Sequence, residues 1–287
     1  MSSFSCLEPT APIGVFDSGL GGLTVVRRLR ERLPQESIVY VADQAHVPYG
    51  GRDLQEVCGF ACGISEALLK FGCKAIVMAC NISSATALRT VQARHSEVPV
   101  LGVILPGASA AVVQTSNRRI GVLATEGTVK TRAYTQALHH LDPHLHVTEV
   151  ACPKFVLLVE AGEVATPEAV AACGEYLEPL RQEGVDTTLL GCTHYPFLLP
   201  ILQSLCPRMC FVDPAEQTVL TLQTLLETAN LLTPSAKPPT LQLTTTGDSH
   251  AFNAQMLYQF LPESIQVSEI GRAYWEAGRL GLEVDRQ

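Results

Sequence analysis

Two cysteines occupy matching places in the chain, each directly after a short, mostly apolar run. Cys80 follows Ala75–Ala79, and Cys192 follows Thr188–Gly191. Two thiols that reach one carbon atom from opposite sides can invert its configuration, because one thiolate removes a proton while the other thiol returns one. These cysteines are the first candidates for chemistry if the fold brings them together.

Polar side chains follow both cysteines. Asn81 comes directly after Cys80, and Thr193 and His194 come directly after Cys192. An imidazole two residues from a thiol can take its proton or stabilise the thiolate. Each cysteine therefore has neighbours that could bind a polar substrate or assist a proton transfer.

A third polar turn follows the first apolar run. Asp17 and Ser18 supply a carboxylate and a hydroxyl, and the glycine-rich stretch Gly19–Gly22 comes next. These glycines lack the Gly-x-Gly-x-x-Gly spacing of a dinucleotide loop, and the Asp17 carboxylate would repel phosphates. The turn is therefore interpreted as part of the candidate site and not as a nucleotide loop.

An internal repeat relates two parts of the chain. Ile120–Leu123 resembles Ile13–Phe16 at an offset of 107, and Cys192 resembles Cys80 at an offset of 112. Two other pairs share an offset of 108, namely Val147–Val150 with Val39–Ala42 and Val212–Pro214 with Ile104–Pro106. We infer two similar halves, and if they face each other about a pseudo-twofold axis, the two cysteines approach one cleft from opposite sides.

Strand-like runs alternate with helical patterns in the first half. A capping box at Asp53–Glu56 predicts a helix that runs to Phe71 and ends at Gly72, and a second helix is predicted over Ser84–Arg94. The predicted strands are Ile13–Phe16, Ile38–Ala42, Ala75–Ala79 and Val100–Ile104. This alternation predicts an α/β fold whose mainly parallel sheets are flanked by helices, with the site beyond the carboxyl ends of the strands.

The repeat also predicts where the halves end. The first extends to about residue 105, and the second covers 106–213. The remaining residues 214–287 contain a predicted helix at Val219–Leu232, a strand at Leu241–Thr245 and a helix at Phe252–Leu261. That stretch is too small to form a core of its own.

Composition excludes several classes of protein. The 287 residues carry a formal net charge of -8, which disfavours nucleic acid as a partner because phosphate binding needs a basic surface. The sequence has no run of 18 apolar residues, so no membrane-spanning helix is predicted. The first twelve residues lack the basic start and apolar core of a signal peptide. We therefore expect a cytoplasmic protein whose ten cysteines are mostly free thiols. The histidine-rich stretch 139–146 lies at a helix end, where solvated histidines are common, so no metal site is predicted there.

Several segments occur together in an order that is distinctive of one family. They are Val15–Gly22, Val47–Gly50, Ala79–Asn81, Thr125–Thr128, Ala151–Phe155 with Val159–Glu160, and Leu190–Pro196. On these segments, from about Ile13 to at least Glu216, the chain resembles the glutamate racemases of the aspartate/glutamate racemase family.

The resemblance implies an activity and roles for particular residues. It implies cofactor-independent interconversion of L- and D-glutamate, which supplies D-glutamate for peptidoglycan, without pyridoxal phosphate or metal. The implied catalytic residues are Cys80, Cys192, Asp17, His194 and Glu160. The implied substrate-binding residues are Asp17, Ser18, Tyr49, Gly50, Asn81, Ile82, Thr193 and His194. It also implies a homodimer, and it places residues 214–287 back on the first domain, with residues 1–105.

One position departs from the family pattern. The family usually has Thr after the Cys-Asn pair, whereas this chain has Ile82 followed by Ser83 and Ser84. A substrate contact there must come from the Ile82 N–H or a nearby serine, and an unreplaced hydrogen bond to a charged group would cost about 1.5 to 3 kcal/mol. The alternatives are an aspartate racemase of the same family and a non-catalytic protein that binds an acidic metabolite.

Overall fold

The computed structural model describes residues 7–234, 238–247, 260–262 and 264–283. Its strands are β1 (Ile13–Asp17), β2 (Ile38–Ala42), β3 (Ala75–Met78), β4 (Val100–Gly102), β5 (Arg119–Ala124), β6 (His146–Ala151), β7 (Thr187–Gly191), β8 (Cys210–Val212), β9 (Leu241–Thr245), β10 (Glu269–Glu276) and β11 (Arg279–Glu283). They form one sheet of seven strands, in the order β11-β10-β9-β2-β1-β3-β4, and one of four strands, in the order β6-β5-β7-β8.

The two sheets share one strand order. In the larger sheet β2, β1, β3 and β4 are parallel neighbours, and β6, β5, β7 and β8 repeat this arrangement in the smaller sheet. Only β11, at the edge of the larger sheet, is antiparallel to its neighbour among the described strands. The predicted α/β fold with two similar halves is confirmed.

Helices cover the sheets. They are α1 (Leu23–Arg32), α2 (Leu54–Phe71), α3 (Asn81–Arg94), α4 (Ile104–Gln114), α5 (Glu126–Thr131), α6 (Ala133–Leu141), α7 (Pro153–Glu160), α8 (Pro167–Gln182), α9 (Leu199–Leu205) and α10 (Pro214–Ala229). The central strands β1, β3 and β7 are buried along their whole length, as expected for parallel strands covered on both faces. No helix in the described ranges combines the length and the apolar character that crossing a membrane requires.

Helix α2 has the bounds predicted from its capping signals. The Asp53 carboxylate accepts hydrogen bonds from the N–H groups of Gln55 and Glu56 at the start of the helix. Gly72 adopts a positive φ of 98° at its end, a conformation that glycine tolerates without strain. Local sequence signals therefore suffice to define this helix.

Helix α3 begins three residues earlier than predicted. The sequence predicts a start at Ser84, but the helix begins at Asn81, and Cys80 is its N-cap residue. The Ser84 N–H donates to the Cys80 carbonyl oxygen at 2.9 Å, and the Ser84 hydroxyl donates to the carbonyl oxygen of Met78 at 2.8 Å. These bonds fold the polar stretch into the first turn, so the thiol of Cys80 lies at a helix N-terminus.

Strand β4 is shorter than predicted, because α4 begins at Ile104. Pro106 lies in the first turn of α4, where its missing N–H costs no helical hydrogen bond. Helix α10 likewise starts at Pro214, five residues before its predicted start. The predicted domain boundary between residues 105 and 106 thus falls in the first turn of α4.

The last part of the chain adds strands to the larger sheet. Strand β9 pairs in parallel with β2, in the register Ile38 to Leu241, and β10 pairs with β9. The predicted strand Leu241–Thr245 is exact. The predicted helix Phe252–Leu261 lies outside the described residues, except for its last two positions. The described strands of the proposed first domain, 1–105 with 214–287, lie in the larger sheet.

Candidate active site

A cavity of about 190 Å³ lies where the carboxyl ends of strands from both halves meet. Cys80, two residues after β3, lines it from the first half, and Cys192, directly after β7, lines it from the second. Both thiols are free, and both residues are more than nine-tenths buried. The structure thus brings together the two cysteines that the sequence singled out.

The Cys80 thiol is protonated at neutral pH. Its pKa is raised to about 12, chiefly by burial and then by the nearby Asp17 carboxylate, while the hydroxyl and N–H of Ser83 act in the opposite direction. A negative charge on Cys192 also raises the pKa of Cys80, so the two sulfurs affect each other's charge. Cys80 is therefore suited to donate a proton.

Cys192 has a different partner. His194 Nδ1 lies 3.7 Å from the Cys192 sulfur, and His194 Nε2 lies 2.6 Å from Glu160 Oε1. Burial lowers the pKa of His194, but hydrogen bonds to Cys192 and Glu160 and the charges of Cys192 and Asp17 raise it to about 10 overall. The imidazole is therefore positively charged at neutral pH, with a proton on both ring nitrogens. Its Nδ1–H can donate to a thiolate on Cys192 while Glu160 orients the ring.

Asp17 lies behind the cavity wall. Its carboxylate is fully buried, and its Oδ2 accepts hydrogen bonds from the N–H groups of Gly19 at 3.2 Å and Gly22 at 3.1 Å. The Thr193 hydroxyl lies 3.4 Å from both of its oxygens and joins the two halves. Burial raises the pKa of Asp17, while the positive charge of His194 lowers it. Neither Asp17 nor Glu160 is among the described residues that line the cavity.

The other predicted binding residues do line the cavity. They are Ser18, Tyr49, Gly50, Asn81, Ile82, Thr193 and His194. Asn81 Oδ1 accepts a hydrogen bond of 2.6 Å from Tyr134, which leaves its amide NH₂ available as a donor. A Cβ atom at Gly50 would lie 2.8 Å from Cβ of Thr125 in the second half, so the two halves approach closely at this point.

Tyr49 is held by a buried carboxylate. Its hydroxyl donates to Asp43 Oδ2 at 2.5 Å, and the indole N–H of Trp275 donates to Asp43 Oδ1 at 2.9 Å. Asp43 is itself fully buried. The segment Val47–Gly51, which borders the cavity, is therefore anchored to β10 through this carboxylate.

Ile82 is part of the apolar wall. It is almost completely buried and packs with Tyr49, Val57 and Cys80. Its side chain extends to the second half, where Cδ1 occupies the space that a Cβ of Gly127 would need. Ile82 thus offers the cavity methyl groups and no side-chain hydrogen bond.

Sequence reasoning assigned no role to several residues that line the second half's side of the cavity. Thr125 and Thr128 follow β5, and Cys152 follows β6. Thr125 lies 107 residues after Ser18, the offset that relates β5 to β1. The repeat therefore contained the signal for Thr125, because equivalent strand ends in the two halves face one cleft.

Most hydrogen-bond donors of the cavity are uncharged. No Lys or Arg is among the described residues that line it, and His194 is the cationic group. Hydrogen-bond donors come from hydroxyls, from the Asn81 amide and from the N–H groups at the start of α3. Among the described residues, no group of three or more His, Cys, Asp or Glu side chains could hold a metal ion.

Comparison with known proteins identifies a family for this chain. Residues 14–222 match the model of the Asp/Glu/Hydantoin racemase family. A glutamate racemase from Microcystis aeruginosa is 44% identical over 261 residues, which are 91% of both chains. The fold matches glutamate racemase isoform RacE1 from Bacillus anthracis with a TM-score of 0.87 and 36% identity, over 95% of this chain and 100% of that one. It matches a Francisella tularensis glutamate racemase, in complex with D-glutamate, with a TM-score of 0.85 and 32% identity, over 91% and 97% of the chains.

Proposed function

Because the chain belongs to the Asp/Glu/hydantoin racemase family, we propose that its cavity interconverts L- and D-glutamate by proton transfer between the substrate and two thiols. The observation that carries this proposal is the position of Cys80 and Cys192, which line one cavity from opposite halves of the molecule. A substrate α-carbon between them would present one face to each sulfur.

In the L-to-D direction, the Cys192 thiolate takes the α-proton, and a Cys192 S–H bond forms as the substrate C–H bond breaks. The Cys80 thiol then gives its proton to the opposite face, so its S–H bond breaks and a Cys80 thiolate remains. This order suits the charges, because Cys80 is protonated at neutral pH and His194 can stabilise a thiolate on Cys192. The D-to-L direction is the reverse of these steps.

The α-proton of an amino acid is a weak acid, so negative charge that develops on the substrate carboxylate must be stabilised. The N–H groups at the start of α3 and the Asn81 amide are fixed donors beside Cys80. Cys80, Cys192, Asn81 and His194 are each more than nine-tenths buried, which limits the access of bulk water to the reacting groups and strengthens these interactions. Asp17 and Glu160 support His194 from behind the wall instead of contacting the substrate directly.

The proposal includes the setting of the reaction. D-glutamate made by this enzyme would supply peptidoglycan synthesis in the cytoplasm, and the protein would act as a homodimer. These elements derive from its membership of the glutamate racemases, and sedimentation of the purified protein would test the dimer.

The test is incubation of the purified protein with L-glutamate and, separately, L-aspartate, without added cofactor, followed by chiral chromatography. We expect D-glutamate to form and aspartate to react far more slowly. The Cys80→Ser and Cys192→Ser variants should both lose racemisation, whereas Cys58→Ser, which removes a thiol that does not line the cavity, should retain it. Faster reaction of aspartate would favour an aspartate racemase, and binding of glutamate without turnover would favour a binding protein.

A further inference from the structure

The Ser83 hydroxyl is a buried polar group without a partner. Ser83 is fully buried in the first turn of α3, and its Oγ is one of three buried side-chain oxygens in the described residues that make no hydrogen bond. A buried unsatisfied hydroxyl costs free energy, on the order of 1 to 3 kcal/mol, so its position calls for a functional explanation.

The sulfur of Cys80 is the group that this hydroxyl can serve. Cys80 is the N-cap residue of α3, and Ser83 is the third residue of the helix, whose N–H is a usual target of an N-cap side chain. No side-chain hydrogen bond caps α3 while the thiol is protonated. Even so, both the hydroxyl and the N–H of Ser83 lie close enough to favour the charged form of Cys80.

The surroundings of Cys80 otherwise oppose a negative charge. Asp17 and Cys192 raise the pKa of the thiol, and the hydroxyls of the buried Tyr40 and Tyr49 donate to Gly19 and Asp43. The adjacent residue, Ile82, brings no hydroxyl. Cys192 has His194 as a partner, whereas Cys80 faces no cationic side chain among the groups that shift its pKa.

We propose that Ser83 is the residue that stabilises the Cys80 thiolate: its hydroxyl and N–H donate to the sulfur whenever Cys80 has given up its proton. The hydroxyl stays unpaired in the thiol form and is paired in the thiolate form. This inference deepens the proposed function and rests on it for the role of Cys80 as a base.

The test is alkylation of Cys80 by iodoacetamide at pH 8, measured by peptide mass spectrometry relative to Cys192 in the same sample. Loss of a hydrogen bond to a charged sulfur lowers the thiolate fraction about 10- to 100-fold, and the higher intrinsic nucleophilicity of the remaining thiolate offsets part of this. The Ser83→Ala variant should therefore lower the labelling ratio of Cys80 to Cys192 about 3- to 12-fold. Its Tm should be unchanged or higher, because the hydroxyl has no partner in the thiol form.

Two variants make the result specific. Ser65→Ala removes a buried hydroxyl from α2 that donates to the Ala61 carbonyl oxygen, so it should leave the labelling ratio unchanged. Ser83→Thr keeps a hydroxyl at position 83 and should retain most of the labelling. An unchanged ratio in Ser83→Ala, or an equal fall in Ser65→Ala, would overturn the inference.

Turnover gives a second readout. Since L- and D-glutamate have equal free energies, kcat/KM in Ser83→Ala must fall by the same factor in both directions, and we expect about 10- to 100-fold. Labelling requires no turnover. A wild-type protein that fails to racemise glutamate would therefore contradict the proposed function, while the labelling ratio would still decide the role of Ser83.

Discussion

Replacement of Glu160 by Gln should lower the pKa of His194 and narrow the pH range of activity. The 2.6 Å contact joins Glu160 Oε1 to His194 Nε2, and the imidazole is almost completely buried. Gln keeps the size of the side chain and an acceptor oxygen, but it removes the negative charge. The variant therefore isolates what the charge of Glu160 contributes.

The magnitude follows from the strength of such bonds. A hydrogen bond to a charged group is about 1 to 1.5 kcal/mol stronger than a neutral one, and each 1.4 kcal/mol corresponds to about one pH unit. The pKa of His194, about 10 in the folded protein, should fall by about one unit. At pH 9 the protonated fraction should then drop from about nine-tenths to about a half.

The assay combines two measurements between pH 6 and 10. NMR titration of the His194 ring follows its protonation, and chiral chromatography gives kcat/KM. We expect the alkaline limb of the kcat/KM profile to shift to lower pH together with the titration midpoint of His194. Glu163→Gln removes the same charge from an exposed position three residues away, and it should change neither. An unchanged titration midpoint in Glu160→Gln, whatever happens to activity, would refute the reasoning.

Further outcomes test the site and the fold. The pKa of His194 is raised on folding, so protonation of its ring stabilises the folded protein, and this contribution to the free energy of unfolding is complete below about pH 6.5. Between about pH 6.5 and pH 10 the contribution should fall by about 1.4 kcal/mol per pH unit. Urea titrations at several pH values can measure this loss. Lys74→Met leaves the buried carboxylate of Glu36 without its 2.5 Å ion-pair partner, and urea unfolding should show a loss of about 3 to 5 kcal/mol. Gly127→Ala places a Cβ 2.8 Å from the Gly50 carbonyl oxygen and against Ile82, so kcat/KM should fall. Gly174→Ala is the control, because a Cβ there meets nothing within 4 Å. This variant should retain activity, and its free energy of unfolding should rise by up to about 1 kcal/mol.

The repeat in the sequence predicted the most important feature of the fold. Similar offsets of 107 to 112 residues between segments of the two halves placed Cys80 and Cys192 at equivalent positions, and the shared strand order explains why both reach one cavity. The pairing of β9 with β2 was beyond sequence reasoning, since the order of strands in a sheet depends on packing between distant segments. Local capping signals predicted α2, because its first and last turns use only neighbouring residues.

The structure brings most of the predicted site residues to one cavity, but two of them do not line it. Asp17 and Glu160 lie behind the cavity wall, where they contact Thr193 and His194, and a list of polar residues cannot reveal this placement. The start of α3 was predicted too late, because Asn and Ser favour helix ends and turns over helix interiors. Tertiary contacts of Ser84 extend the helix to Asn81 and give Cys80 its place at the N-terminus.

The exchange of the α-proton with solvent tests the two-thiol mechanism most directly. Each cysteine variant is incubated in heavy water with each enantiomer of glutamate, and deuterium incorporation is followed by NMR and mass spectrometry. We predict that Cys80→Ser exchanges the proton of L-glutamate but not of D-glutamate, and that Cys192→Ser does the opposite, because serine is too weak an acid to supply the missing base. Unimpaired racemisation in either variant, or exchange of the enantiomer whose thiol is missing, would contradict the account.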